Sequence, residues 1–268
     1  MPSVTLPASP HAPDARPVAL AWRSFGEGPP LLFLHGGWGA GAYPLDLALA
    51  ALTGSFRVIV PDRSGFGGST TTRGLVPGFH QAAADETALF LDALGLERVA
   101  LWGHSDGAVI AARFALSHPE RARAVVMEAG HFTGAKWSSL EFFRQGLEPD
   151  ALPAPLRSAL ATEHGEPRWR EVVRAGAAAW LDLIGRALAG DDDLYDRRLG
   201  ELRAPVLLLH GAEDPRTEPG ELDRARAALP RAEVALLEGV GHAPHCSRRG
   251  AERAVAALRE FLERKGAS

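Results

Sequence analysis

The amino-acid sequence predicts an α/β protein, a mostly parallel central sheet with helices on both faces and a helical cap inserted into it. Three observations predict it. Short apolar runs rich in Val, Leu and Ile recur along the 268 residues, and most lack polar alternation, the pattern of strands buried on both faces. Segments carrying helix-forming residues at helical spacing lie between several of these runs, so strand and helix alternate. One interval, 131–202, has no convincing strand, and it is far longer than an ordinary connection of about 4 to 6 residues.

In chain order, the strands are expected at 18–25, 31–34, 56–60, 99–102, 124–127, 206–209 and 232–237. Before them, 1–17 is rich in proline and reads as a flexible N-terminal tail, with room for a short first strand within 4–6. Helices are expected at 77–94, 108–117, 220–229 and 251–262. The strand-free interval offers helix-like pieces at 140–146, 156–164 and 170–188, with a proline-rich joint at 148–155. The expected organisation is therefore a tail (1–17), a core in two pieces (18–130 and 203–268) and a cap (131–202). The cap aromatics Trp137, Phe142, Phe143, Trp169 and Trp180 divide between packing and pocket wall.

Composition excludes several function classes. With 46% hydrophobic side chains the chain can bury one substantial core. Its 29 basic and 33 acidic residues leave a net charge of −4 with no basic block, so a nucleic-acid partner has no electrostatic footprint. No leader-like N-terminus and no apolar run of about 18 residues is present, which predicts a soluble cytoplasmic protein without a membrane partner. The single Cys246 excludes an intrachain disulfide and a cysteine-built metal site. No metal-ligand spacing is visible, and neither a metal nor an organic cofactor is expected. Monomer and homodimer both stay open.

The chemistry is concentrated at strand ends. Gly103-His104-Ser105-Asp106-Gly107 joins an apolar strand to a helix-like stretch. In that context the two glycines allow a sharp turn that exposes the Ser105 hydroxyl as a nucleophile. A serine needs a base, and the base needs an orienter. Asp214 follows the strand at 206–209, and His242 follows the next one at 232–237. In a parallel sheet such loops collect at one edge, where ligands bind. Glu128, at the end of the 124–127 strand, competes with Asp214 as the acid, and His245 competes with His242 as the base. Oxyanion donors are expected from the backbone N–H of Asp106 and from Gly37 or Trp38, in the glycine-rich turn after the 31–34 strand. His35 is expected to brace these loops or to border the pocket. His131, Trp137, Phe142, Trp169 and Trp180 are the other candidates for the pocket wall.

Taken together, these motifs resemble the α/β-hydrolase superfamily over nearly the whole chain after residue 17. The oxyanion loop of that family is matched by His35-Gly36-Gly37-Trp38, and its D-x-x-G-x-G-x-S loop by Asp62-Arg63-Ser64-Gly65-Phe66-Gly67-Gly68-Ser69. The acid loop is matched by Gly211-Ala212-Glu213-Asp214-Pro215 and the histidine loop by Gly241-His242-Ala243-Pro244. The resemblance implies the α/β-hydrolase fold, a Ser105–His242–Asp214 triad, and an eight-stranded sheet whose N-terminal strands look abbreviated here. Dehalogenase-like and epoxide-hydrolase-like members carry Asp where this chain has Ser105, which argues against both activities. A carboxylic ester hydrolase acting on small to medium apolar esters is the leading expectation. Carbon–carbon bond hydrolysis of ring-fission products, lactonase, thioesterase, amidase and perhydrolase chemistry are the alternatives on the same triad, and a non-catalytic small-molecule receptor is disfavoured. For a carbon–carbon hydrolase, Arg63, Arg113 and Arg144 are the basic residues the sequence offers to an acidic substrate.

Overall fold

The computed structural model describes residues 1–265. Its centre is an eight-stranded sheet built from β1 (Ser3–Leu6), β2 (Val18–Phe25), β3 (Pro30–Leu34), β4 (Arg57–Pro61), β5 (Val99–His104), β6 (Ala122–Glu128), β7 (Val206–Gly211) and β8 (Glu233–Leu237). The spatial order is β1-β2-β4-β3-β5-β6-β7-β8. β2 is antiparallel to both neighbours, whereas every pair from β4 through β3, β5, β6 and β7 to β8 is parallel.

The strands are apolar on both sides because each side meets a layer of helices. Leu32, Leu34, Ile59, Leu101, Val125, Met127 and Leu208 pack against α2 (Phe79–Ala93), α3 (Asp106–Ser117) and α7 (Glu221–Ala228). The alternate residues Leu31, Phe33, Val58, Val60, Trp102, Val126 and Leu209 pack against α1 (Asp46–Leu52) and α8 (Ala251–Lys265). Side chains on a strand alternate between faces, so one short apolar run feeds two cores. The helix α1 is not among those expected above, although its Ala- and Leu-rich sequence favours helix.

The tail expected at 1–17 is instead part of the fold. β1 pairs antiparallel with β2, with Ser3 opposite Ala21 and Leu6 opposite Val18. Leu6, Ser9, His11 and Ala12 are buried. The Ser9 hydroxyl donates to Glu86 at 2.5 Å, and the His11 backbone N–H donates to Ser9. Proline density misled because prolines are well suited to the turns between these anchor points, and the anchors themselves are small polar residues.

Between β6 and β7 the chain leaves the sheet and forms α4 (Leu140–Gln145), α5 (Ala154–His164) and α6 (Arg168–Leu188). These helices make the cap. Trp169, Val173, Gly176, Ala177, Trp180 and Ile184 form the buried face of α6 at helical spacing. Among the described residues, no helix is long and apolar enough to cross a membrane.

Candidate active site

At the C-terminal edge of the sheet, Ser105 sits between β5 and α3 with φ 56° and ψ −120°. A non-glycine residue in such a conformation costs on the order of 1–3 kcal/mol and persists only where its surroundings enforce it. They do so here through close packing. A Cβ on Gly103 would lie 2.1 Å from the Gly107 carbonyl oxygen, and a Cβ on Gly107 would lie 1.8 Å from that of Leu34. The Ser105 N–H donates to the Glu128 carbonyl at 2.9 Å, tying the turn to β6.

Three strand-end loops meet at this turn. His242 Nε2 is 3.0 Å from Ser105 Oγ, and His242 Nδ1 is 2.8 Å from Asp214 Oδ2. The His242 carbonyl accepts from His104 Nε2 at 2.9 Å. Burial holds the His242 pKa well below its ordinary value, and the charges of Arg216, His104, His210 and Lys136 add to that. The ring is therefore a neutral acceptor facing the serine hydroxyl. The other Asp214 oxygen, Oδ1, accepts the Arg216 N–H at 2.9 Å, so the carboxylate is held on both sides.

The rival acid and base form a pair of their own. Glu128 accepts from Trp102 Nε1 at 2.7 Å, from the His245 N–H at 2.8 Å, and lies 2.9 Å from His245 Nδ1. Burial pushes Glu128 up, but the neighbouring His245 outweighs it and leaves the carboxyl at about 2. Both side chains are buried and bonded to one another, beneath the site and not in it.

A second histidine reaches the serine. His131 Nε2 lies 3.2 Å from Ser105 Oγ, and the two imidazoles are nearly parallel, 5.8 Å apart. With His242 Nδ1–H committed to Asp214, its Nε2 accepts the serine proton, and His131 can then only donate to Oγ. Burial, followed by the charges of Lys136, His242 and Arg216, keeps His131 well below the ordinary histidine pKa and hence neutral.

The glycine-rich loop after β3 is held from beneath. The Gly36 carbonyl accepts from Arg63 Nη2 at 2.9 Å and lies 2.8 Å from His35 Nδ1. Arg63 is buried, and burial lowers its pKa to about 10 against the opposing pull of Asp106 and Glu86. From above, Glu163 on α5 accepts the N–H groups of Ala40 and Gly41 at 2.8 and 2.9 Å. Burial raises that carboxyl to about 7. The Asp106 side chain bonds to α2 and to the cap. Its Oδ1 lies 3.0 Å from both His80 Nε2 and Trp180 Nε1, joining the nucleophile helix to the cap. Burial pushes Asp106 up, but His80, Arg63 and Trp180 together bring it below the ordinary carboxylate pKa.

Ser105 opens into a cleft of about 500 Å³, the part open to solvent included, bordered by Gly37, Trp38, Tyr43, His131, Phe142, Phe143, Trp180 and Arg216 among others. A larger cleft of about 1810 Å³ lies on the other side of α6 against the N-terminal segment, but it holds no serine with a base. Chemistry, not size, selects the smaller one.

Of the residues expected in the pocket wall, three stand elsewhere. Trp137 is 48% exposed and outside the cleft. Trp169 packs with Leu160 and Val173 in a separate cluster, its Nε1 bonded to Glu166 at 2.8 Å. His35 lies beneath the glycine loop, against Phe66 and Arg63. His131, Phe142 and Trp180 do border the cleft. None of the three arginines singled out from the sequence lines it. Arg63 underpins the loop, Arg113 pairs with Asp196, and Arg144 is exposed. The arginine in the cleft is Arg216, which the sequence analysis missed although it stands two residues after Asp214. Tyr43 was not singled out for the wall either.

Comparison with known proteins agrees with this architecture. A family model described as alpha/beta hydrolase fold matches residues 29–148. The chain is 30% identical over 248 residues to the pimeloyl-[acyl-carrier protein] methyl ester esterase of Aeromonas hydrophila subsp. hydrophila, covering 86% of this chain and 94% of that protein. It is 29% identical over 244 residues to the protein of the same name from Nitrosomonas europaea, covering 83% and 92%. Among solved structures, a thermophilic esterase from Thermogutta terrifontis superposes with a TM-score of 0.72 at 23% identity, covering 98% and 99% of the two chains. A meta-cleavage product hydrolase from Pseudomonas fluorescens IP01 gives 0.69 at 22% identity, covering 98% of each.

Proposed function

The chain belongs to the α/β-hydrolase superfamily, and we propose that within it the protein hydrolyses small to medium carboxylic esters through an acyl-enzyme on Ser105. One observation carries the reading. Ser105 Oγ, His242 Nε2, His242 Nδ1 and Asp214 Oδ2 lie in sequence at 3.0 and 2.8 Å, the arrangement in which an imidazole takes the serine proton while a carboxylate holds its tautomer.

In the first half-reaction, Ser105 Oγ attacks the ester carbonyl as its proton passes to His242 Nε2. The new charge on the carbonyl oxygen is met by the backbone N–H of Asp106 at the start of α3, and by one from the glycine loop. For the latter, the anchored Gly36 carbonyl supports Gly37 over Trp38. A peptide's C=O and N–H point in opposite directions, so Arg63 and His35, by holding Gly36 O underneath, turn the Gly37 N–H the other way. The imidazolium of His242 then protonates the leaving alcohol. Water activated by the same ring attacks the acyl-Ser105 carbonyl, and collapse returns the acid and the free serine.

His131 enters this scheme as a donor to Oγ, steadying the oxygen as its proton leaves. The relatives named above are methyl ester esterases, which supports a small alcohol as leaving group here. Phe142, Phe143, Val173 and Trp180 make the cleft largely apolar, which supports a hydrocarbon acyl arm.

The test is a panel of methyl and p-nitrophenyl esters set against lactones, amides, thioesters and a vinylogous diketone acid, with kcat/KM measured for each. The proposed function predicts that the esters lead the panel. Faster turnover of the diketone acid would replace it with carbon–carbon bond hydrolysis.

A further inference from the structure

We propose that Arg216 is a specificity-determining residue of this cleft, and that the ester it serves carries a second, free carboxylate on its acyl arm, as in the monoester of a short dicarboxylic acid. The inference rests on the Ser105 reading above and names its substrate class.

The Arg216 backbone is clamped from both sides. Its N–H donates to Asp214 Oδ1 at 2.9 Å, and its carbonyl accepts from Lys136 Nζ at 2.9 Å. The side chain projects into the cleft. Its guanidinium carbon stands 3.9 Å from the ring centre of Phe142 and 5.5 Å from that of Trp38. Aromatic faces position a guanidinium and attract its charge, but they leave its in-plane N–H donors unused.

Nothing else among the described residues takes up those donors. Among the described residues, no carboxylate stands within ion-pair distance of Arg216. The nearby cation, Lys136, is already matched by Glu221 at 2.6 Å. Asp214 and Glu218, each two residues away in sequence, have their oxygens engaged, Asp214 by His242 and the Arg216 N–H and Glu218 by Ser138. A guanidinium half-buried among aromatic rings gains most from an anion that can accept two parallel N–H bonds, and a carboxylate has that shape. A phosphate ester dianion would call for further cations or a helix N-terminus aimed at the same point, and the cleft supplies the one arginine.

The same charge bears on the reaction. Arg216 is among the causes that hold His242 and His131 below their ordinary pKa. A carboxylate bound at Arg216 offsets its charge and eases formation of the His242 imidazolium, so the anionic ester is helped in the step that matters.

The experiment uses matched pairs of methyl esters, the monomethyl esters of succinate, glutarate and adipate against methyl butanoate, pentanoate and hexanoate. Each pair differs at the far end, carboxylate against methyl. Wild type is expected to favour the anionic member of at least one pair by about tenfold to a hundredfold in kcat/KM, the range of a charge-assisted hydrogen-bonded pair. In Arg216→Gln that ratio should fall to about one or below, with Arg216→Lys between them, because an ammonium keeps the charge but not the fork. Ratios near one throughout the wild-type series, or an unchanged ratio in Arg216→Gln, would overturn the inference. Should the variant not fold, wild type alone decides: glutarate is expected to compete with methyl pentanoate, and glutaramide is not. Equal inhibition by the two would overturn the inference as well. Failure of the parent reading looks different, since wild type would then cleave neither member of any pair and an aryl fluorophosphonate would leave Ser105 unlabelled.

Discussion

The sheet edge and the cap meet at one cleft but are held together by different forces. At the edge, Ser105, Asp214 and His242 are each placed by backbone. The turn after β5 is fixed by glycines with no room for a Cβ, Asp214 by the Arg216 N–H, and His242 by the bond from His104 to its carbonyl. In the cap, side chains set position. Trp180 reaches Asp106 through its indole N–H and stacks on Phe143 at 5.3 Å, and Glu163 holds the glycine loop through its carboxylate. Backbone placement tolerates little drift, whereas side-chain placement can be revised one residue at a time. On the proposed function, the edge fixes the reaction and the cap chooses what undergoes it.

The largest test of that division is at the edge. Ser105→Ala should lower kcat/KM for a short aryl ester by at least about a thousandfold with little change in melting temperature, because the nucleophile is lost and little packing goes with it. Asp214→Asn should cost on the order of 10³–10⁴, by offering His242 the wrong tautomer. Glu128→Gln should behave in the opposite way. Breaking its buried pair with His245 should destabilise the fold by roughly 3–5 kcal/mol while turnover of the folded enzyme stays near wild type. A larger turnover loss in Glu128→Gln than in Asp214→Asn would exchange the two roles.

The next test separates two tryptophans within the cap. Trp169→Ala, whose side chain does not itself line the cleft, should cost roughly 3–5 kcal/mol in stability and leave the preference among acyl chain lengths as it was. Trp180→Ala should shift that preference, by about 1–3 kcal/mol per methylene recognised. The readout is kcat/KM along a series of p-nitrophenyl esters alongside thermal melting. Matching profiles for the two variants would erase the distinction.

The smallest effect is in pH. In the proposed mechanism neutral His242 is the base, and its pKa is depressed by burial and then by Arg216, His104, His210 and Lys136, with Asp214 the carboxylate bonded to it. A lowered pKa keeps the base free at lower pH, so the acid limb of kcat/KM should fall below the ordinary histidine value of 6.5. An acid limb at or above that value would mean that the ring is not held as described.

Much of the edge was legible in the sequence because backbone-placed chemistry leaves local marks. The glycines around Ser105, and acids and histidines one step past apolar strands, are visible in short windows. The cap was legible as an interval without strands. Its wall was not, since Trp137, Phe142, Trp169 and Trp180 look alike in sequence, and packing sends two of them to the cleft, one to a separate cluster and one to the surface. Arg216, and the contact of His131 with Ser105, escaped for the same reason: what makes each notable is a neighbour far away in the chain. The N-terminal segment misled in the other direction, its prolines masking a strand and the buried Ser9–Glu86 bond.

The central claim, an acyl-enzyme on Ser105, is met most directly by intact-protein mass spectrometry on samples quenched in acid during turnover of a slowly deacylated p-nitrophenyl ester. The account predicts a mass gain of one acyl group, mapped by peptide fragmentation to Ser105 and absent from Ser105→Ala. Turnover with no adduct, or an adduct on another residue that persists in Ser105→Ala, would contradict it.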